Sequence, residues 1–226
     1  MEYIPNIRYW ETPLRSPALD PASLVTHVTA PPLCPELRLS LAEDFERARE
    51  VWDGADTRTA QPPYWSIAWV GGQALARLIL DRPALVRGRR VLDVGSGCGI
   101  CAIAAARAGA LTVEAADIDR GATAAIASNA ALNDVTITVS PTDPIGTPPR
   151  WDVVLAADMW YERFLAARLT AWLASLAGEG VTVLLGDCRR AYFPRMRLIE
   201  MQRYAIPDRF GVERAAIVDA GVWRMQ

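Results

Sequence analysis

The run Val91-Leu92-Asp93-Val94-Gly95-Ser96-Gly97-Cys98-Gly99 constrains the fold of this chain more than any other stretch. Its apolar first half reads as a buried strand. An acidic residue stands near the strand's end, and glycines then recur at alternate positions. Small and apolar residues continue from Ile100 to Ala106 and end at Arg107, a pattern that reads as a helix leaving the turn. Glycine has no Cβ, so it takes positive φ without penalty and lets backbone approach a ligand closely. The dinucleotide fingerprint G-x-G-x-x-G needs a glycine at position 100, where this chain carries Ile100.

The flanking sequence alternates strand and helix patterns. Strands are expected near 90–94, 111–116, 135–139, 152–157 and 180–186, and helices near 98–108, 120–132 and 163–176. Such alternation implies a parallel sheet with right-handed crossovers. Met201 to Ile206 and Ala216 to Met225 read as two further strands, joined by too short a connection for a crossover, so an antiparallel pair is expected. Upstream, Gln61-Pro62-Pro63-Tyr64-Trp65 forms a stiff turn, because each proline fixes φ and restricts the residue before it. A helix is expected from Ser66 to Asp81, with Gly71-Gly72 inside it. Each of those glycines weakens a helix by about 1 kcal/mol relative to alanine. The pair marks either close approach of a backbone or ligand, or a plain packing contact. Leu37, Leu41, Phe45, Ala48, Val51 and Trp52 fit one face of a helix broken near Ser40. Residues 1–35 hold seven prolines and read as an irregular arm, leaving 36–226 as one domain.

Composition narrows the function classes. The net charge is −2, so no basic surface points to nucleic acid. No apolar run approaches the ~18 residues of a membrane span. Pro5, Pro13 and Pro17 interrupt the start of the chain, with no apolar signal core, so the expected location is cytoplasmic. Cys98 and Cys101 form a C-x-x-C, but Cys34 and Cys188 complete no second pair, and the single histidine, His27, is remote in sequence. The thiols therefore read as packed side chains, with no metal site. All 24 basic residues are arginine. Alanine, arginine and proline richness explains this as genomic bias; the sharper reading is that an enzyme acting on lysine gains by carrying none.

The D-x-G-x-G-x-G of Asp93 to Gly99 resembles motif I of the class I, seven-β-strand S-adenosylmethionine (SAM) methyltransferases. The resemblance implies an α/β fold: a doubly wound, mostly parallel seven-stranded Rossmann-like sheet ending in an antiparallel hairpin. It also implies SAM as cofactor. Gly95, Gly97 and Gly99, with the start of the next helix, would then face the carboxylate of the methionine portion. Asp93 would position its ammonium, or alternatively cap the turn. Asp117, just past the second strand, would take the ribose diol, with Asp119 as the next helix's N-cap, or the two would exchange roles. Ile118 would pack on adenine. Asp143 matches a position that binds the adenine amino group in this class, although Asp-Pro is also an ordinary turn.

The fourth strand runs into Asp158-Met159-Trp160-Tyr161. The Asn-Pro-Pro-aromatic motif of amide and adenine methyltransferases is absent. Acid-x-x-aromatic instead resembles the (D/E)-x-x-Y motif of seven-β-strand protein lysine methyltransferases. That likeness assigns Asp158 and Tyr161 to catalysis, and Trp160 with Trp69 to the substrate; the plainer alternative makes Trp160 and Tyr161 core aromatics. The segments Pro62 to Gln73 and Gly186 to Pro194 are similar to those of the electron transfer flavoprotein β-subunit lysine methyltransferases and their bacterial relatives. In that family the region of Trp65 closes over the cofactor. Cys188-Arg189 stands where the family leads one to expect Pro-Gly. The implied function is methyl transfer from SAM to a protein lysine, with the flavoprotein β-subunit as the partner the family suggests. Competing readings are a methyltransferase of a small molecule or ribosomal protein, a SAM-binding protein without turnover, and a nicotinamide-dependent enzyme.

Overall fold

The computed structural model describes residues 25–43, 48, 62–209 and 215–226. The strands are β1 (Thr26–Thr29), β2 (Leu39–Ala42), β3 (Arg90–Val94), β4 (Thr112–Ala116), β5 (Thr138–Ser140), β6 (Val153–Ala157), β7 (Thr182–Asp187), β8 (Leu198–Pro207) and β9 (Ile217–Met225). The α-helices whose bounds fall within the described residues are α1 (Val70–Asp81), α2 (Ile100–Arg107), α3 (Arg120–Leu132) and α4 (Arg163–Gly178). Seven strands form one sheet in the order β5-β4-β3-β6-β7-β9-β8. Those from β5 to β7 are parallel, whereas β9 runs antiparallel to both β7 and β8. The expected seven-stranded, doubly wound sheet with a terminal hairpin is what the chain forms.

Residue alternation along the central strands explains the layers. Val91, Val153, Leu155 and Leu184 point to one face, where α1, α2 and α3 cover them. Leu92, Val94, Val154, Val183 and Leu185 point to the other, where α4 packs with Trp172 and Trp223. A strand buried on both faces has to be apolar almost throughout, as β3, β6 and β7 are. Because β3 pairs with β4 on one side and β6 on the other, the sheet's winding reverses there. The crevice beyond the carboxyl ends of β3 and β6 is thus the natural ligand position.

The helix expected over Leu37 to Trp52 is not what forms at its start. Leu39–Ala42 is β2, paired antiparallel with β1 from Thr26↔Ala42 to Thr29↔Leu39. Leu37, Leu39 and Leu41 are buried on a spacing of two, which is the strand period. Leu37 and Leu41 alone also satisfy the helical i, i+4 spacing, hence the ambiguity. Tertiary amides decide it: Asn129 Oδ1 accepts from Ser40 N at 2.7 Å, and Asn133 brackets Arg38, accepting from its N at 3.0 Å and donating to its O at 2.6 Å. Phe45, Val51 and Trp52 lie outside the described residues. β1 falls within the stretch expected to be irregular, most of which also lies outside them.

The helix expected from Ser66 begins only at Val70, after a 3-10 turn over Tyr64–Ser66. Its glycine pair has a packing reason. A Cβ on Gly71 would lie 2.5 Å from the carbonyl oxygen of Gly186 and 2.6 Å from Asp158 Oδ2. The α1 backbone therefore touches β7 directly, and the approach is to backbone and carboxylate rather than to a ligand.

Candidate active site

The glycine turn between β3 and α2 folds as its composition demands. Gly95, Gly97 and Gly99 have φ of 62°, 56° and 84°, the left-handed region that a Cβ penalises. The expected use of its amides requires correction. Gly95 N and Ser96 N donate to Ala116 O at 2.9 and 3.2 Å, Gly97 N to Asp117 Oδ2 at 2.9 Å, and Gly99 N to Ser96 O at 2.8 Å. Those donors are spent on folding the turn. What the glycines offer a ligand is room: a Cβ at Gly97 would meet nothing nearer than Trp65 Cα at 3.9 Å. Met159 lies over Gly95, where a Cβ would collide with its sulfur.

Asp93 is buried, and its Oδ2 accepts from Ser96 Oγ at 2.5 Å and from Ala102 N at 3.1 Å. This is the turn-bracing arrangement, joining the strand end to the first turn of α2. Asp117 links two loops: Oδ2 holds Gly97 N, and Oδ1 accepts from Asp119 N at 3.0 Å. Asp119 is the N-cap of α3, accepting from Gly121 N at 2.6 Å. Burial pushes the carboxyl of Asp93 up to about 7 and that of Asp117 up to about 6. Asp187, at the end of β7, is also raised by burial, to about 7. A carboxyl whose folded value exceeds its unfolded one holds its proton more tightly when folded, so its contribution is fully present below the unfolded value, near 3.8, and is lost as pH rises from there through the folded value. The ligand-free protein is accordingly expected to melt at a lower temperature at about pH 8 than at about pH 5.5. A calorimetric melt that is highest at the alkaline end would contradict these buried carboxyls.

Trp65 is buried between the glycine turn and the start of α3, so tightly that a Cβ on Gly121 would collide with its indole. Its Nε1 has no hydrogen-bond partner. Ile118 is an exposed apolar side chain beside Asp117. Asp143 is occupied otherwise than expected. Its Oδ1 accepts from Ile145 N at 2.9 Å, closing a turn, and its Oδ2 pairs with Arg168 of α4 at 3.0 Å on the surface. Both carboxylate oxygens of Asp143 thus serve a turn and a surface ion pair.

The second half of the site lies beyond β6. Asp158 has φ of 55°, an uncommon conformation for a residue with a Cβ and one that concentrates at functional positions. Its Oδ2 accepts from Gly72 N, in the first turn of α1, at 2.8 Å. Its Oδ1 accepts from Arg190 Nη2 at 3.1 Å. The Arg190 guanidinium also stands over Trp69, 5.1 Å from the ring centroid. Trp69 Nε1 donates to Tyr64 O at 2.8 Å, and the Tyr64 ring meets both Trp69 and Tyr161 at 5.8 Å. Tyr161 is exposed on one side, forming an aromatic rim with Tyr64.

Trp160 belongs to the core, not to the substrate. It is fully buried, packs edge-on against Phe193 at 5.0 Å and donates Nε1–H to Thr170 Oγ1 at 3.0 Å. The turn between Asp158 and the start of α4 at Arg163 directs Trp160 inward and leaves Tyr161 outside. Trp160→Ala is expected to cost about 3–5 kcal/mol of stability, measured by denaturant titration, with methyl transfer by the remaining folded fraction unchanged. The cysteines are packed thiols as expected: Cys34 donates to Gln73 O and Cys101 to Gly72 O, at 3.5 and 3.4 Å. Burial pushes Cys34 and Cys98 up to about 12, far from any thiolate. Two residues escaped the sequence reading, Arg190 and Asp187. Asp187 Oδ1 accepts from Arg190 N at 2.6 Å, while its buried Oδ2 has no partner. Only the positive φ of Arg189, 66°, had a signal: it is the position where glycine was expected.

Room above Gly97, the unpartnered Trp65 indole N–H and the Asp117 carboxylate together fit a ligand with a ribose and a flat base. The family model of ribosomal protein L11 methyltransferase (PrmA) matches residues 74–159, which span α1 to the Asp158 turn. An electron transfer flavoprotein beta subunit lysine methyltransferase from Xenopus laevis is 40% identical over 229 residues, covering 95% of this chain and 90% of its own. The protein of that name from Mus musculus is 38% identical over 198 residues, covering 84% and 77%. Magnesium protoporphyrin IX methyltransferase from Synechocystis, solved with bound SAM, superposes with a TM-score of 0.50 at 18% identity, over 69% of this chain and 79% of that one. A putative RNA methyltransferase from Pyrococcus horikoshii gives 0.51 at 16%, over 68% and 82%. These two likenesses concern the fold alone.

The fold and the methyltransferase relatives define a class I methyltransferase that uses SAM. The shared length and identity place the chain more narrowly: it belongs to the electron transfer flavoprotein beta subunit lysine methyltransferase family.

Proposed function

We propose that this chain methylates a lysine ε-amine of the electron transfer flavoprotein β-subunit, in the cytoplasm. The observation that carries the reading is the cation already held between Asp158 and Trp69 at the end of β6. A protein amine presents the same chemistry, a positive head on an apolar stem. SAM, when bound, supplies a methyl group activated by the positive charge on its sulfur. Asp117 would accept from the ribose hydroxyls, Trp65 and Ile118 would bound the adenine, and the open floor at Gly97 would admit the methionine portion. Asp93 would act by bracing that floor.

For transfer, the ε-ammonium has to lose a proton and present its lone pair in line with the methyl. Asp158 orients the ammonium and draws its proton away, while Tyr161 and Tyr64 wall off water and hold the aliphatic stem. Bound SAM would supply the methyl carbon to the amine lone pair and leave as S-adenosylhomocysteine, and positioning by these side chains would supply most of the acceleration. Among the described residues no helix is long and apolar enough to cross a membrane.

The test incubates the pure protein with labelled SAM and the flavoprotein of its own organism, alongside whole lysate. Intact-mass gains of one or more methyl groups on the β-subunit, mapped to lysine, are expected. Label confined to small molecules, with no protein band, would refute the lysine reading.

A further inference from the structure

The cation site just described is full. Asp158 uses one oxygen on Gly72 N and the other on Arg190, and the same guanidinium covers the face of Trp69. The side chains of Arg190 and Asp158 are only 16% and 7% exposed. A carboxylate so withdrawn from water keeps its charge cheaply only beside a counter-ion. An incoming acceptor therefore has to trade places with Arg190, charge for charge.

We infer that Arg190 is an internal stand-in for the acceptor: its guanidinium fills the Asp158–Trp69 cation site, and the substrate ammonium displaces it on binding. The inference rests on the lysine reading above and deepens it. The backbone is arranged for a side-chain exchange rather than a loop movement. Asp187 Oδ1 pins Arg190 N at 2.6 Å, so the main chain stays while the long, flexible side chain swings. The exchange also selects the acceptor. A primary ammonium restores the ion pair, whereas a hydroxyl would leave Asp158 without a counter-charge.

The chain contains no lysine, which makes a direct test possible. Arg190→Lys places an ε-ammonium on the same tether, aimed at the same carboxylate. Incubated with SAM, the R190K protein is expected to methylate itself at position 190, read by intact mass and peptide mapping. The half-time should not depend on protein concentration, because the reaction is intramolecular. A second variant, Arg190→Ala, removes the competitor. If the arginine fills the site about nine-tenths of the time, KM for the protein acceptor falls about tenfold with kcat kept.

An R190K protein that folds, binds SAM and methylates the β-subunit while staying unmodified overturns the inference. So does an R190A protein whose KM rises, since Arg190 would then be holding the acceptor rather than its place. The lysine reading fails separately, if the unaltered protein transfers no methyl to any protein lysine.

Discussion

Gly97→Arg is expected to leave a folded protein with no measurable affinity for SAM or S-adenosylhomocysteine. The residue's φ of 56° imposes a backbone cost on any side chain, about 1–2 kcal/mol for the left-handed region. That cost is bearable for a domain whose core lies elsewhere, because the turn's own hydrogen bonds do not involve the replaced side chain. The space is another matter. Among the described residues, apart from the glycine's own neighbours in sequence, nothing lies nearer the Cβ position than Trp65 Cα at 3.9 Å, so the arginine projects into the crevice above the turn, beside Trp65. A ligand excluded from that floor loses at least about 100-fold in affinity, or roughly 3 kcal/mol. Titration calorimetry checks it, with a thermal melt to show that the fold persists. Affinity within a few-fold of the parent would mean that the cofactor lies elsewhere.

Asp158→Asn is expected to do the opposite. The amide keeps the shape and can still accept from Gly72 N, so SAM affinity stays within about threefold, an effect below 1 kcal/mol. What is lost is the charge that orients an ammonium and draws off its proton, a contribution worth about 10²- to 10⁴-fold in rate. kcat should therefore collapse while the cofactor still binds. Arg190 is left beside a neutral amide, and the protein should be destabilised by about 2 kcal/mol, between the values for exposed and fully buried pairs. Single-turnover transfer at saturating SAM separates the two effects. Equal loss of SAM affinity in both variants would remove the division between a donor half at the glycine turn and an acceptor half at Asp158.

The two halves differ in how far the sequence reveals them. β3 and α3 form over the expected residues, since an apolar run and an N-capping Asp119 act within a few residues of themselves. β2 was hidden because Leu37 and Leu41 satisfy two periods at once, and Asn129 and Asn133, remote in sequence, break the tie. Trp160 and Tyr161 stand side by side in the chain, yet one is core and the other rim. The difference is the direction in which the backbone turns after Asp158. Asp143 reads in the sequence as part of the ligand site, and its pairing with Arg168, 25 residues away, is visible only in the fold.

The sequence by itself determined the glycine turn, the strand before it, the helix after it and hence the class of donor. These are demands of local backbone geometry: positive φ, an absent Cβ and an apolar period. The acceptor side was decided only in three dimensions. Asp158 and Arg190 are 32 residues apart and meet because β6 and β7 are neighbours in the sheet. Trp69 joins them because glycines at 71 and 186 let α1 lie directly on β7. Charge pairing across a sheet leaves no period or spacing in the sequence, so which cation Asp158 holds became legible only once the strands were side by side.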